Sequence, residues 1–83
     1  MPNLHARKIR RIRHALDLQR AHFVDALDMS LRAYTDHENG RSAFKIEHLE
    51  KLSGFFNITT GQLLDLSEDE LIILILKTRE KNL

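Results

Sequence analysis

The stretch that decides the fold lies at residues 20–40 and reads RAHFVDALDMSLRAYTDHENG. Its first apolar residues fall on one helical stripe: Phe23, Val24 and Leu27. Ser30 is a good N-cap for a following helix, and Gly40 stands where a helix needs a left-handed terminator. We therefore predict two short helices, at about 20–27 and 31–39, joined by a link of about three residues. A link of this length is typical of a helix-turn-helix, in which the second helix lies steeply across the first.

Helical signals continue on both sides of this pair. Before it, a helix is predicted at about 4–16, with Asn3 as its N-cap. After it, a helix is predicted at about 46–56, followed by Asn57, which tolerates the left-handed conformation. A Thr-x-x-Gln capping box at 59–62 then opens a short fifth helix.

The last part of the chain predicts a sixth helix with an apolar centre. A capping box at 67–70 opens it, and basic residues close it: Lys77, Arg79 and Lys81. Residues 71–76, LIILIL, are also compatible with a buried strand, but the caps at both ends favour a helix. Because such a run covers every face of a helix, we expect one side to pack on its own domain and the other on a second subunit. The predicted homodimer interface is Leu71, Ile72, Leu74, Ile75 and Leu76; the alternative is a helix wrapped by its own domain alone.

The composition is that of one small domain. The chain has 83 residues, 42% of them apolar, with three glycines and one proline, so no linker divides it. The absence of cysteine excludes disulfides, thiolate metal sites and a cysteine nucleophile, and it favours the cytoplasm. The basic start lacks the apolar block of a signal peptide, and no stretch reaches the ~20 apolar residues of a membrane span.

Positive charge is concentrated at the start of the chain. Residues 1–22 contain six Lys or Arg and one Asp, a net charge of +5, while the other 61 residues sum to −4. Such a block can meet a phosphate backbone or an acidic protein surface, whereas a solvated helix face is the simpler explanation.

Neither a metal site nor an active site is expected. The five histidines show no HxxxH pairing and have no cysteine companion, so we expect no metal and no cofactor. The chain also has no glycine-rich phosphate loop and no nucleophile elbow, and we expect no enzyme. His37 occupies a place in the apolar pattern and is expected to be partly buried.

Several short motifs follow one another along the chain, in a series without gaps. They are Ser30, the spacing of Phe23, Leu27, Leu49 and Leu52, the closing Glu38-Asn39-Gly40, and Asn57-Ile58-Thr59 before Leu63-Leu64. With them, residues 9–64 resemble the lambda-repressor/Cro-like helix-turn-helix domains, also called the XRE family. The resemblance implies an all-α, five-helix DNA-binding bundle at 1–66. The apolar helix at 67–83 is additional to this bundle and is the dimerisation element predicted above. The resemblance also implies a transcriptional regulator, repressor-like, that inserts the third helix into the major groove of double-stranded DNA.

The resemblance assigns roles to individual residues. The base-contacting positions are Leu31, Arg32, Thr35 and Asp36. The phosphate-contacting positions are Arg20, Ala21, Asn39 and Arg41, with Arg13 as a further cation. Arg13 and Glu38 also match a pair that forms a salt bridge between the first helix and the end of the third.

The chemistry of the third helix supports base readout. Arg32 can donate two hydrogen bonds to guanine, Leu31 or the methyl group of Thr35 can contact a thymine methyl, and Asp36 can accept from cytosine. Residues 31–38 nevertheless sum to −1, so the attraction to phosphate must come from flanking cations, Lys45 among the candidates.

Two departures from the family pattern lie at the ends of the second helix. Gln19 stands where Ser or Thr normally caps, so we expect that end to fray. Asp28 replaces the usual turn glycine and is expected to adopt the left-handed conformation.

A second function fits the same sequence. A protein-interaction module, antitoxin-like or a co-regulator subunit with weak or no DNA binding, is suggested by Leu31, Tyr34 and Asp36 on the third helix and by the apolar tail. RNA binding is less favoured, because exposed aromatic residues for base stacking are missing.

Overall fold

The computed structural model describes residues 4–81, which contain six helices and the short links between them. The helices are α1 (Leu4–Ala15), α2 (Arg20–Leu27), α3 (Leu31–Glu38), α4 (Ile46–Phe56), α5 (Thr60–Asp65) and α6 (Glu68–Lys81). Within this range there is no strand, so the predicted all-α class is confirmed, and the run at 71–76 is helical. Asn3, the predicted cap of α1, lies outside the described residues.

The helix ends are set by local chemistry, as the sequence predicts. The hydroxyl of Ser30 accepts the backbone N–H of Ala33 at 3.1 Å and so caps α3. The backbone is left-handed at Asp28 (φ +53°), Asn57 (φ +58°) and Gly40 (φ +83°), the three positions predicted to adopt this conformation. The link between α2 and α3 therefore turns as a helix-turn-helix requires.

Two histidines cap helices, which the sequence analysis did not predict. His22 accepts the backbone N–H of Gln19 through Nδ1 at 3.1 Å, and His48 accepts that of Lys45 at 3.0 Å. Each histidine is the third residue of its helix, the position that Glu or Gln takes in a capping box. The side chain of Gln19 makes no cap hydrogen bond, as expected of a poor cap, and at this end the imidazole of His22 accepts the N–H of Gln19 instead. Since Nδ1 must offer a lone pair, both caps require a neutral imidazole.

Stability should therefore fall at acidic pH because of His48. Burial, followed by the nearby charges of His37, Lys45 and Lys51, holds the pKa of His48 below its ordinary 6.5, against the opposing charge of Glu47. Between the folded and unfolded pKa values only the unfolded chain binds this proton. The contribution of His48 to the free energy of unfolding should thus be fully present well above about pH 6.5 and decrease as the pH falls through and below this value.

Urea unfolding between pH 5 and 8 measures this effect, and His48→Gln is the matched control. Glutamine keeps an acceptor for the cap but does not titrate. The variant should lose part of the acidic destabilisation. An unchanged pH profile would show that His48 does not contribute.

An aromatic cluster forms the centre of the core. Phe23 is completely buried, and its ring makes edge contacts with Tyr34, Phe55 and Phe56 at centroid distances of 5.6–5.8 Å. These contacts join α2, α3 and α4, which places α3 firmly on the bundle.

The last helix packs on α1 and belongs to the same core. Leu71 and Ile75 are completely buried there, so neither is accessible to a second subunit. The predicted dimer interface is corrected at these two positions, because a run without periodicity does not reveal which side faces inward. Ile72 and Leu74 are half-buried, while Leu76 and the neighbouring Ile73 are exposed.

Candidate nucleic-acid interface

The first turn of α3 presents its side chains to solvent. Leu31 is 57% exposed and Arg32 is also exposed, while Thr35 and Asp36, one turn later, are half-buried. Their spacing places these four predicted base-contacting residues on one face of the helix. Tyr34 is completely buried on the opposite side of α3, so it cannot contact a partner there.

The end of α3 is held to α1 by a buried ion pair. Arg13 donates to Glu38 through Nε at 3.0 Å and Nη2 at 2.8 Å, the pairing that the resemblance implies. Arg20, at the start of α2, approaches the same carboxylate at 3.4 Å. Burial would raise the pKa of Glu38, but the hydrogen bonds from Arg13 and the charges of both arginines lower it overall.

This ion pair removes Arg13 from the predicted phosphate-contacting set. Its third guanidinium nitrogen, Nη1, donates to the carbonyl of Leu18 at 3.1 Å, and only 11% of the side chain is exposed. All three guanidinium nitrogens are therefore hydrogen-bonded inside the protein. The prediction that Arg13 contacts phosphate is corrected. Arg20 differs, because 41% of its side chain remains exposed beside Ala21, which is itself exposed.

The hydroxyl of Tyr34 lies buried in the same region. It forms no hydrogen bond with any described residue. Burial, followed by the proximity of the Glu38 carboxylate and then by its charge, raises the pKa of Tyr34 well above its ordinary value of 10. The phenol is thus neutral, and the carboxylate depends on Arg13 and Arg20 for its charge balance.

The other acidic residue of α3 is paired on the surface. The carboxylate of Asp36 lies 3.6 Å from the guanidinium of Arg41, whose side chain is 76% exposed. Backbone bonds fix this loop, since the N–H groups of Arg41 and Ser42 both donate to the carbonyl of Asp36. The negative charge of α3 is therefore offset by arginines at both of its acidic residues.

A comparison with protein families identifies the kind of domain. The model of the BetR domain matches residues 4–73, which include α1 to α5 and the start of α6. The chain belongs to the BetR domain family. BetR domains are small helical domains related to helix-turn-helix regulators. No curated protein and no solved structure is similar enough to the chain to count as a match.

Much of the basic start of this BetR domain serves the fold. Lys8 donates to the carbonyls of Leu63, Leu64 and Leu66 at 2.8–3.2 Å and so caps the end of α5. Arg11 pairs with Glu68 and Asp69 at the start of α6. Lys8 and Arg11 are therefore used in contacts within the domain, so the basic block is not one free cationic surface. Arg7 and Arg10 are exposed without a partner among the described residues.

The exposed cations of this region lie at the two ends of α3. Arg32, Arg41 and Lys45 are exposed, and Asn39 is exposed beside Arg41. The structure therefore leaves the first turn exposed at one end of α3 and the predicted phosphate-contacting residues Asn39 and Arg41 exposed at the other. No signal in the sequence identifies Lys8 or Arg11 as internal contacts, because their partners are more than fifty residues away.

The remaining histidines do not assemble a metal site. His37 is partly buried, as predicted; its ring lies 5.1 Å from those of Phe44 and His48 and hydrogen-bonds the carbonyl of Ala33. Among the described residues, no three metal-ligating side chains of this BetR domain lie close enough together to hold an ion. Within the same residues, no helix has the length and apolar character needed to cross a bilayer.

Proposed function

We propose that this domain is a sequence-specific, double-stranded-DNA-binding transcriptional regulator of the repressor type, without enzymatic activity. Its helix-turn-helix is of the lambda-repressor/Cro-like kind, and α3 enters the major groove. The observation that carries the proposal is the exposed first turn of α3, together with two solvent-accessible arginines that pair with acidic residues toward the other end of the same helix. Membership of the BetR family supports a regulatory role.

In this proposal, base contacts and phosphate contacts come from different elements. Arg32 donates to a guanine, and the methyl groups of Leu31 and Thr35 contact thymine. Arg20, Ala21, Asn39 and Arg41 hold the backbone on either side of α3. Because Arg41 is 76% exposed, it can turn from Asp36 to a phosphate at little cost, since surface ion pairs contribute only about 0–1 kcal/mol.

Two arginine variants test this division of roles. Arg32→Ala should cost roughly 1–3 kcal/mol on the preferred sequence and little on random DNA. Arg41→Ala should weaken both and reduce the slope of log K against log salt by about one. Fluorescence anisotropy with a labelled duplex, selected by the protein from a random pool, measures both quantities across a salt series.

Arg79→Ala is the control, because Arg79 is exposed on α6, away from α3. It should leave binding to both duplexes unchanged. Equal losses on the two duplexes for Arg32→Ala would remove this residue from base readout. No binding by the unmodified chain up to about 100 μM at moderate salt, the weak end of non-specific binding, would contradict DNA binding altogether.

A protein-interaction module is the second candidate. Leu31, 57% exposed at the start of α3, favours it, since an apolar side chain there suits a protein surface as well as a thymine methyl. Burial of Tyr34 removes one of the three residues that suggested this function. The absence of DNA binding in the anisotropy experiment would favour this candidate over the regulator.

A further inference from the structure

The outer side of α6 carries an apolar centre between opposite charges. Ile73 is 54% exposed and Leu76 is 45% exposed, and their i, i+3 spacing places them next to each other. They lie on the side of the helix away from Leu71 and Ile75, which are completely buried. Nothing among the described residues of the domain covers this part of α6.

An acidic and a basic side chain flank Ile73 along the same shallow groove. Glu70 and Lys77 are both exposed, and both line the groove together with Ile73 and Leu74. They are seven residues apart, which is about two helical turns or 10 Å along the axis. One edge of the apolar patch therefore has negative charge near the start of α6 and positive charge near its end.

We propose that α6 of one molecule packs antiparallel on α6 of a second copy, around a two-fold axis near Ile73. This arrangement brings Glu70 opposite Lys77 of the second copy, and the symmetry creates the same pair twice. It also packs Ile73 against Ile73 of the second copy, beside the axis. A parallel pair would instead place Glu70 beside Glu70 and Lys77 beside Lys77, so the charge pattern selects the antiparallel one.

This interface contains neither Leu71 nor Ile75, and so it differs from the interface predicted from the apolar run alone. It uses the exposed residues that the domain leaves uncovered and requires no change in the core. It is also independent of DNA binding, because none of its residues lies on α2, α3 or the loop that follows α3.

Charge exchange tests the proposal on the full chain. The variants are Glu70→Lys, Lys77→Glu and the double variant, and sedimentation equilibrium gives the dimer Kd of each. Each single variant creates two like-charge pairs and should raise the Kd by about tenfold. The double variant restores two opposite-charge pairs and should return to within about threefold of the unmodified chain.

The helix cap provides an internal control. Glu70 also accepts the N–H of Ser67 at 3.0 Å, so Glu70→Lys removes a cap as well as a charge. The double variant lacks the same cap, and its recovery can come only from the restored charge pairs. Circular dichroism of each variant checks that the helical content is retained.

Three results would overturn the proposal. The first is an unmodified chain that stays monomeric at about 1 mM, a concentration at which even a weak specific dimer forms. The second is a pair of single variants that dimerise as tightly as the unmodified chain. The third is a double variant that dimerises as weakly as the single variants. Ile73→Lys adds a fourth test that does not touch the cap. Because Ile73 is exposed, this variant should fold normally and be monomeric.

Discussion

Replacing Glu38 with alanine should lower the free energy of unfolding by about 3–5 kcal/mol, the usual loss when one partner of a buried ion pair is removed. The side chain of Glu38 is completely buried, and that of Arg13 is 11% exposed. Without the carboxylate, the guanidinium of Arg13 stays buried with only the carbonyl of Leu18 and the ring of His14 as partners. A domain of this size has about 5–15 kcal/mol in total, so the loss is a large fraction of its stability.

Urea unfolding at pH 7 measures this loss, and Asp36→Ala is the matched control. Asp36 lies on the same helix, but its ion pair with Arg41 is on the surface. That variant should lose at most about 1 kcal/mol. The double variant Arg13→Met with Glu38→Leu should recover most of the loss, because it leaves no unpaired charge. A cost below about 1 kcal/mol for Glu38→Ala would contradict the buried pair.

Replacing Phe23 with alanine should cost about 3–5 kcal/mol, the range for a buried aromatic residue truncated in a core. Its ring is completely buried and contacts aromatic residues of α3 and α4. The deletion leaves a cavity at the junction that positions α3. DNA binding should weaken with it at temperatures where the variant is partly unfolded.

Phe55→Ala is the control for Phe23→Ala. Phe55 belongs to the same aromatic cluster, but it is 44% exposed. Much of its ring is already in contact with water, so the expected loss is about 1 kcal/mol. Thermal unfolding by calorimetry or circular dichroism compares the two variants. Equal losses would mean that the ring of Phe23 is not at the centre of the core.

Much of the fold follows from local sequence signals. The caps and left-handed residues act within one turn of the chain, so Ser30, Asp28, Gly40 and Asn57 could be assigned from the sequence alone. The start of α2 was also predicted at residue 20, but its cap was not, because His22 caps this helix and the usual N3 pattern contains only Glu or Gln.

The candidate site was harder to predict because it depends on distant contacts. Family resemblance alone supplied the pairing of Arg13 with Glu38, and it did not indicate that the pair would remove Arg13 from the surface. The pairing of Asp36 with Arg41 was missed, although the two residues are close in sequence, because loop geometry decides it. The inward side of α6 was unpredictable, since six consecutive apolar residues have no helical period.

DNA binding through α3 and its flanks can be mapped residue by residue in an NMR titration. The uniformly ¹⁵N-labelled chain is titrated with its selected duplex at about 0.1 mM, where even non-specific complexes form. We expect amide shift changes concentrated at residues 20–22, 31–36 and 39–42. Changes confined to residues 68–79, or no changes at all, would contradict a DNA interface at α3.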